Sequence, residues 1–241
     1  MNGRLSDIWV YLSASPLLGL TVTLVAYQAA YWLYQRARFH PLLNPVAVTV
    51  ALIATALTLT HTPYGTYFSG AQFIHFLLGP ATVALAIPLY AQWDRLRREW
   101  KSLTLALVCG SATASASAVL LAWALGAGPV TLKSLAPKSV TTPIAMGIAE
   151  KIGGLPSLTA VLVVCTGIIG AVLAKYILDA LHIADHAARG FAVGVAAHGI
   201  GTARAFQVSE EAGAFAGLGM GLNGVLTALT VPLAFWVLQK F

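Results

Sequence analysis

The side chains with most to offer chemically are a lysine, an arginine and a histidine set among glycine, serine and threonine. Lys138 lies in the run PKSVTT, beside Ser139, Thr141 and Thr142. One ammonium, three hydroxyls and the free N–H groups of a broken helix start form a cradle for a carboxylate. Arg204 closes the run HGIGTAR, after His198, Gly199, Gly201 and Thr202. Glycines let backbone N–H groups approach a ligand, and a guanidinium grips a carboxylate through two parallel hydrogen bonds. His198 could bond a substrate hydroxyl or pass a proton. The same residues have plainer roles: Lys138 snorkelling to an interface, Arg204 paired with Glu210 or Glu211, and His198 packed as a structural imidazole.

Glu150 and Glu210 are candidates for proton coupling if buried, because a desolvated carboxyl has a raised pKa. Exposed, they are solvated helix ends. Asn223 follows Gly213, Gly217 and Gly221; it either coordinates substrate or bonds another helix along a close-packing glycine face. His182, Asp185 and His186 resemble a spaced metal pair but lack a further ligand, so a solvated loop is expected and no metal. The Gly-Ile-Gly spacing is too short for a dinucleotide site. Lys138 and Ser139 are adjacent and cannot face each other on a helix. No cofactor and no enzymatic activity are expected.

Of the 241 residues 58% are hydrophobic and 9% are charged, with a mean hydropathy of +0.79. A soluble domain carries about 25% charged residues, so this composition requires an all-α integral membrane protein. Asp, Glu, Lys and Arg are absent from Ile8 to Gln35, Phe39 to Trp93, Ser102 to Leu132, Ile152 to Ala174 and Ala212 to Gln239. A crossing takes about 20 apolar residues, and the second gap is long enough for two. About six transmembrane helices follow: Ile8 to Tyr34, Val46 to Thr60, Phe73 to Tyr90, Leu103 to Leu125, Leu158 to Leu178 and Ala214 to Leu238. His61 to Gly70 reads as an outer loop and Gln92 to Lys101 as a basic inner one.

The net charge of +6 does not mark a nucleic-acid partner, because Arg36, Arg38, Arg95, Arg97, Arg98 and Lys101 crowd into two short connections. That is the positive-inside pattern, and with two spans between the connections it predicts an external N-terminus in a cytoplasmic (inner) membrane. Cys109 and Cys165 sit inside apolar gaps and imply no disulfide framework.

Two stretches, Leu135 to Leu158 and Gly190 to Gly213, are apolar yet carry breakers, hydroxyls and charges. Such backbone survives at membrane depth only where protein or a water-filled cavity satisfies it. A shift of 60 residues places Thr142 on Thr202, Ala145 on Ala205, Glu150 on Glu210 and Gly153 on Gly213. The chain therefore reads as one membrane domain, 1–241. Four spans in 1–134 precede two repeat units, 135–180 and 190–241. If each irregular stretch enters and leaves on one side, each unit crosses once. The repeat is then inverted, and its polar tips meet near the midplane. Inversion brings Lys138, Ser139, Thr141 and Thr142 towards His198, Gly199, Thr202 and Arg204. The Gly213, Gly217, Gly221 ridge and the small residues from Gly110 to Ala118 offer two close-packing faces, from which a homo-oligomer, most simply a dimer, is expected.

The runs PKSVTTPIA (Pro137 to Ala145), EKIGGLPSLTAV (Glu150 to Val161), AHGIGTARAFQ (Ala197 to Gln207) and EEAGAF (Glu210 to Phe215) resemble the LrgB/CidB family. Upstream, FHPLLNP (Phe39 to Pro45) and LLGPATVALAIPLY (Leu77 to Tyr90) belong to the same pattern. The resemblance covers nearly the whole chain. It implies two functions. Bacterial members are named holin-like or antiholin-like proteins that modulate murein hydrolase activity and cell lysis. Others transport small carboxylates, including pyruvate in some bacterial pairs and glycolate and glycerate in a similar plastid-envelope translocator. The usual partner is a small LrgA/CidA-type membrane protein. The two long broken stretches favour a secondary transporter of a small monocarboxylate (glycolate, glycerate, lactate or pyruvate) over a lysis regulator.

Overall fold

Proline, glycine and capping side chains set where the helices begin and end. The computed structural model describes residues 16–84 and 86–238, all helix or short connection; the expected start of the first span, from Ile8 to Ser15, lies outside them. The helices are α1 (Pro16–Arg36), α2 (Pro45–Leu59), α3 (Tyr64–Ala84), α4 (Ala86–Ala91), α5 (Trp93–Ala124), α6 (Pro129–Leu135), α7 (Thr142–Ile152), α8 (Pro156–Ala180), α9 (His186–Val208) and α10 (Glu210–Leu238), with a 3-10 turn at Pro41–Leu43. Proline occupies the first turn of α2, α6, α7 and α8, where its missing N–H would be unpaired in any case. Gly153 ends α7 at φ 80°, a left-handed cap that suits glycine. Among the described residues, α1, α5, α8 and α10 are long and apolar enough to cross a membrane. The chain is an all-α membrane protein.

The chain packs as two compact units, one up to Ala84 and one from Leu85 onwards. In the first, Gly19 lets α1 lie against the α3 backbone at Tyr67 to Ala71. Thr23 Oγ1 and Tyr67 Oη share a 2.7 Å hydrogen bond beside that contact. Asn44 caps α2 by accepting from the N–H groups of Val46 and Ala47 at 2.9 and 3.2 Å.

In the second unit, contacts fix the direction of each helix. Arg95 at the start of α5 reaches Asp185 at the start of α9 and Glu211 at the start of α10. These three helices leave from one end, the Arg95 end. Climbing from it, Gly190 of α9 faces Ala212 of α10, Gly194 faces Ala216, and the Val195 carbonyl meets Asn223. The first half of α9 and α10 therefore run parallel. At Ala197 and His198 the helix breaks, with His198 at φ 40° and ψ −136°. Past the break the order reverses: Thr202 lies against Met220, and Phe206 against Gly213. So α9 is a hairpin that enters and returns on one side, and α10 then crosses.

The preceding unit repeats this arrangement from the other end. Ser134, in the last turn of α6, accepts from the Leu155 N–H and its carbonyl takes the Thr159 hydroxyl, both at the start of α8. Lys138 sits level with Thr166 and Gly170, further along α8. Thus α6 and α8 run the same way, while α7 returns to the Gly153 turn. α8 ends near the Arg95 end, where Asp179 pairs with Arg189 of α9. α8 and α10 point in opposite directions, and the two units are inverted. At the 60-residue offset Pro137 and Lys138 correspond to Ala197 and His198, so both breaks fall at one place in the repeat.

Several local readings differ from the sequence expectation. Gln92 to Lys101 is not a loop: from Trp93 on it is the first part of α5, held by an Arg95–Glu99 pair one turn apart. The 32 residues of α5 make about 48 Å of helix, against about 30 Å of hydrocarbon, so this basic end stands clear of the core. The expected outer loop, His61 to Gly70, is helical from Tyr64, where Tyr64 stacks on Phe68 and lies tilted against Tyr67. Gly190 to Gly213 is, as expected, a broken helical stretch: it is interrupted at Ala197 and His198 and again at the extended Ser209 between α9 and α10. Across α9 and α10 the glycines that face the partner helix's backbone are Gly190, Gly194 and Gly219; of the expected ridge, Gly213 packs against the Phe206 ring and Gly221 faces open space.

Candidate functional site

The two breaks meet at mid-depth. About 18 Å of helix rise separates Asp185 from Ala197, and the same separates Glu211 from Asn223. Half the hydrocarbon thickness is about 15 Å.

Asn223 joins the breaks. Its Nδ2 donates to the Val195 carbonyl at 3.0 Å and to the Ser139 carbonyl at 3.3 Å, with the Ser139 hydroxyl at 3.5 Å. Breaking a helix strands carbonyls near the break, and a single amide on α10 supplies donors to one from each hairpin. Its Oδ1 accepts from Thr227 Oγ1 at 3.2 Å. The Thr227 proton being used there, Ser111 Oγ donates to Thr227 across 3.2 Å. Asn223 and Thr227 are 0% exposed, Ser139 1% and Ser111 4%. The result is a polar strap across the core, running from both breaks to α5.

His198 is held from the other side. A carbonyl only accepts, so the Nε2 that lies 2.9 Å from the Val163 carbonyl carries the proton. The Thr202 hydroxyl bonds the His198 carbonyl at 2.9 Å. Gly167 makes room for the ring, since a Cβ there would lie 2.6 Å from His198 Cε1. The φ of 40° at His198, rather than at Gly199, is therefore enforced by packing.

Lys138 is half-buried, and among the described residues no carboxylate pairs with it. It lines a groove of about 490 Å3 between α8 and the first half of α9, whose wall is otherwise apolar except for Thr166. An ionisable side chain at this depth is a candidate functional group.

The structure thus gathers Lys138, Ser139, His198, Thr202 and Asn223 around the breaks. Thr141 caps α7 through its backbone only, and it and Thr142 are half-buried; Gly199 follows the break, with the Met220 sulfur 3.7 Å from where its Cβ would be. Arg204 stands about 9 Å of helix rise from the break and donates to Gln207 at 3.2 Å. Glu211, offered by the sequence as its partner, binds Arg95 instead. Glu150 and Glu210 are exposed helix-end residues, so the burial that proton coupling requires is not met. Among the described residues no cluster of His, Cys, Asp and Glu fits a metal, and Asp185 serves as the cap of α9.

The sequence reading missed Ser111, Thr227 and Arg95. Thr227 stands one turn from Asn223 on the same face, and Ser111 is the second residue of the small-residue run of α5; that spacing was the available signal. Arg95 gives one edge of its guanidinium to each of Glu99 (3.0 Å), Asp185 (2.6 Å) and Glu211, and lies over the Phe215 ring. It ties the three helix starts together at the base of the hairpin.

A model of the LrgB-like family matches residues 23–237. Uncharacterized protein YwbG of Bacillus subtilis (strain 168) is 37% identical over 217 residues, spanning 90% of this chain and 96% of that protein. Uncharacterized protein YxaC of the same strain is 37% identical over 218 residues, 90% of this chain and 94% of that one. Antiholin-like protein LrgB of Bacillus mycoides (strain KBAB4) is 32% identical over 219 residues, 91% and 95% of the two chains. No solved structure matches. Taken with the four crossing helices, a family match over this length makes the chain a multi-pass membrane protein of the LrgB-like family.

Proposed function

We propose that the chain moves a small monocarboxylate such as glycolate, glycerate, lactate or pyruvate across the cytoplasmic membrane. The observation that carries this reading is Lys138: an ammonium without a carboxylate partner among the described residues, at the meeting point of two inverted broken hairpins. A fixed midplane site between inverted repeats is the usual design of secondary transporters. In this reading Lys138 binds the carboxylate and His198 or Thr202 reads the neighbouring oxygen. The basic Arg95 end faces the cytoplasm. A small LrgA-type membrane protein is the partner, and copies of the chain associate.

A second reading is an antiholin-like regulator of murein hydrolases and lysis, and the name of the Bacillus mycoides relative fits it better than it fits carboxylate transport. Proteoliposomes separate the two. Saturable, stereoselective uptake of a labelled hydroxy or keto acid supports transport. Absence of any saturable uptake, together with altered murein hydrolase activity in cells lacking the protein, supports the regulator.

A further inference from the structure

Two grooves approach the junction from opposite ends. The Lys138 groove runs from the break at Ala197 back along Ala192 and Leu178, towards the Arg95 end. A second groove, of about 430 Å3, lies between α5 and α10. It begins at mid-depth with Ser111 and Leu226 and runs to Leu120 and Phe235. Both of these helices lead away from the Arg95 end, so this groove points to the other face of the membrane. Between the two grooves stands the turn joining α6 to α7: Ala136 lines the second groove and Lys138 the first.

We infer that the two grooves are halves of one path for a small, singly charged acid, and that the turn from Ala136 to Val140, bolted by Asn223, is the gate between them. The inference rests on the transport reading above. Among the described residues Lys138 is the only charged side chain in either lining. One ammonium compensates one carboxylate, whereas a second carboxylate would stand unpaired at low dielectric. The turn lies outside any helix and is held locally by two short turns, Lys138 N–H to Leu135 and Val140 N–H to Pro137. Ala136 and Val140 pack into an apolar cluster with Val163 and Val231, and the strap from Ser139 through Asn223 and Thr227 to Ser111 adds the polar ties that fix the turn to the rest of the unit. These are neutral hydrogen bonds, strong enough to close a gate and weak enough to exchange. One turn beyond Ser111, in the wall of the second groove, Ser115 Oγ is buried without a partner among the described residues. It offers a hydroxyl to a polar group on the far side of the gate.

Cysteine accessibility tests this. In a Cys109→Ser, Cys165→Ser background, Ala196→Cys probes the Lys138 groove, Ala116→Cys the second groove, and Ala184→Cys marks the Arg95 side. A charged, membrane-impermeant methanethiosulfonate is applied to right-side-out and inside-out vesicles. Ala196→Cys reacts from the side that reaches Ala184→Cys, and Ala116→Cys from the other. Adding Asn223→Ala raises the reaction of Ala196→Cys from the far side by about fivefold for each hydrogen bond lost. Where that variant does not fold, Ser111→Ala, which removes only the outer link, moves the rate in the same direction. Both cysteines reacting from one side, neither reacting, or far-side rates unchanged in both variants would overturn the gate. Sidedness as expected without saturable carboxylate uptake retains the gate and defeats the substrate; uptake without sidedness does the reverse.

Discussion

Replacing Asn223 by alanine removes a side chain that hydrogen-bonds carbonyls beside both breaks. Interhelical hydrogen bonds within membranes contribute about 0.6 kcal/mol on average, because the separated helices find other partners. Asn223 differs in what it leaves behind. Its acceptors at Val195 and Ser139 are backbone carbonyls in buried residues beside chain breaks. Each unsatisfied carbonyl costs about 1–3 kcal/mol, so Asn223→Ala should destabilise by about 3 kcal/mol. Thr227→Val removes a hydroxyl that makes neutral hydrogen bonds to Asn223 Oδ1 and Ser111 Oγ and strands no backbone carbonyl; about 1 kcal/mol is expected. Asn223→Asp keeps the shape but turns a donor into an acceptor facing two carbonyls, and should be no better than alanine. Equilibrium unfolding in mixed detergent micelles, read by tryptophan fluorescence, measures all three. An Asn223→Ala loss no larger than that of Thr227→Val would refute the argument that this amide holds the two hairpins together.

Two further outcomes follow from contacts elsewhere in the second unit. A Cβ on Gly194 would lie 2.7 Å from the Ala216 carbonyl carbon, whereas at Gly221 nothing lies within 4 Å; Gly194→Ala should cost about 1–3 kcal/mol by overpacking, and Gly221→Ala should be neutral or gain up to about 1 kcal/mol in helix propensity. Equal effects in the same unfolding assay would show that α9 and α10 do not meet at Gly194. Asp185, outside the spans, has its pKa lowered by the Ala188 N–H first and by Arg95 second. A depressed carboxylate stabilises fully above its unfolded value of about 3.9, and that contribution is lost as pH falls through the folded value. The wild type should therefore exceed Asp185→Asn in unfolding temperature at pH 7, with the gap closing below about pH 4. A gap independent of pH would contradict the pairing.

What the sequence disclosed depended on whether a signal was local. The breaks at Lys138 and His198 were legible because glycine, proline and hydroxyls interrupt an apolar run, and the 60-residue offset gave their symmetry. Helix directions at the Arg95 end were not legible, since the Arg95–Asp185 and Arg95–Glu211 pairs join residues far apart in the chain. The connection at Gln92 to Lys101 misled because charge suggests a loop in a membrane protein, yet Arg95 and Glu99 are good helix formers spaced one turn apart. Gly190 and Gly194 carry the same spacing signal as Gly213 and Gly217; that Gly190 and Gly194 meet the α10 backbone is decided by the parallel course of α9 and α10. Asn223 was read with both roles open, and the geometry ties it to the two breaks.

The central claim, that the junction binds a monocarboxylate through Lys138, is tested most directly by ligand binding to purified Lys138→Met. Methionine keeps the length of the side chain and removes an ammonium that has no carboxylate partner among the described residues, so the unfolding temperature should hold or rise. Binding of labelled glycolate or pyruvate, measured by scintillation proximity, should meanwhile fall at least about tenfold, as expected for loss of a charge-assisted hydrogen bond. Undiminished binding by a stably folded Lys138→Met protein would contradict the account.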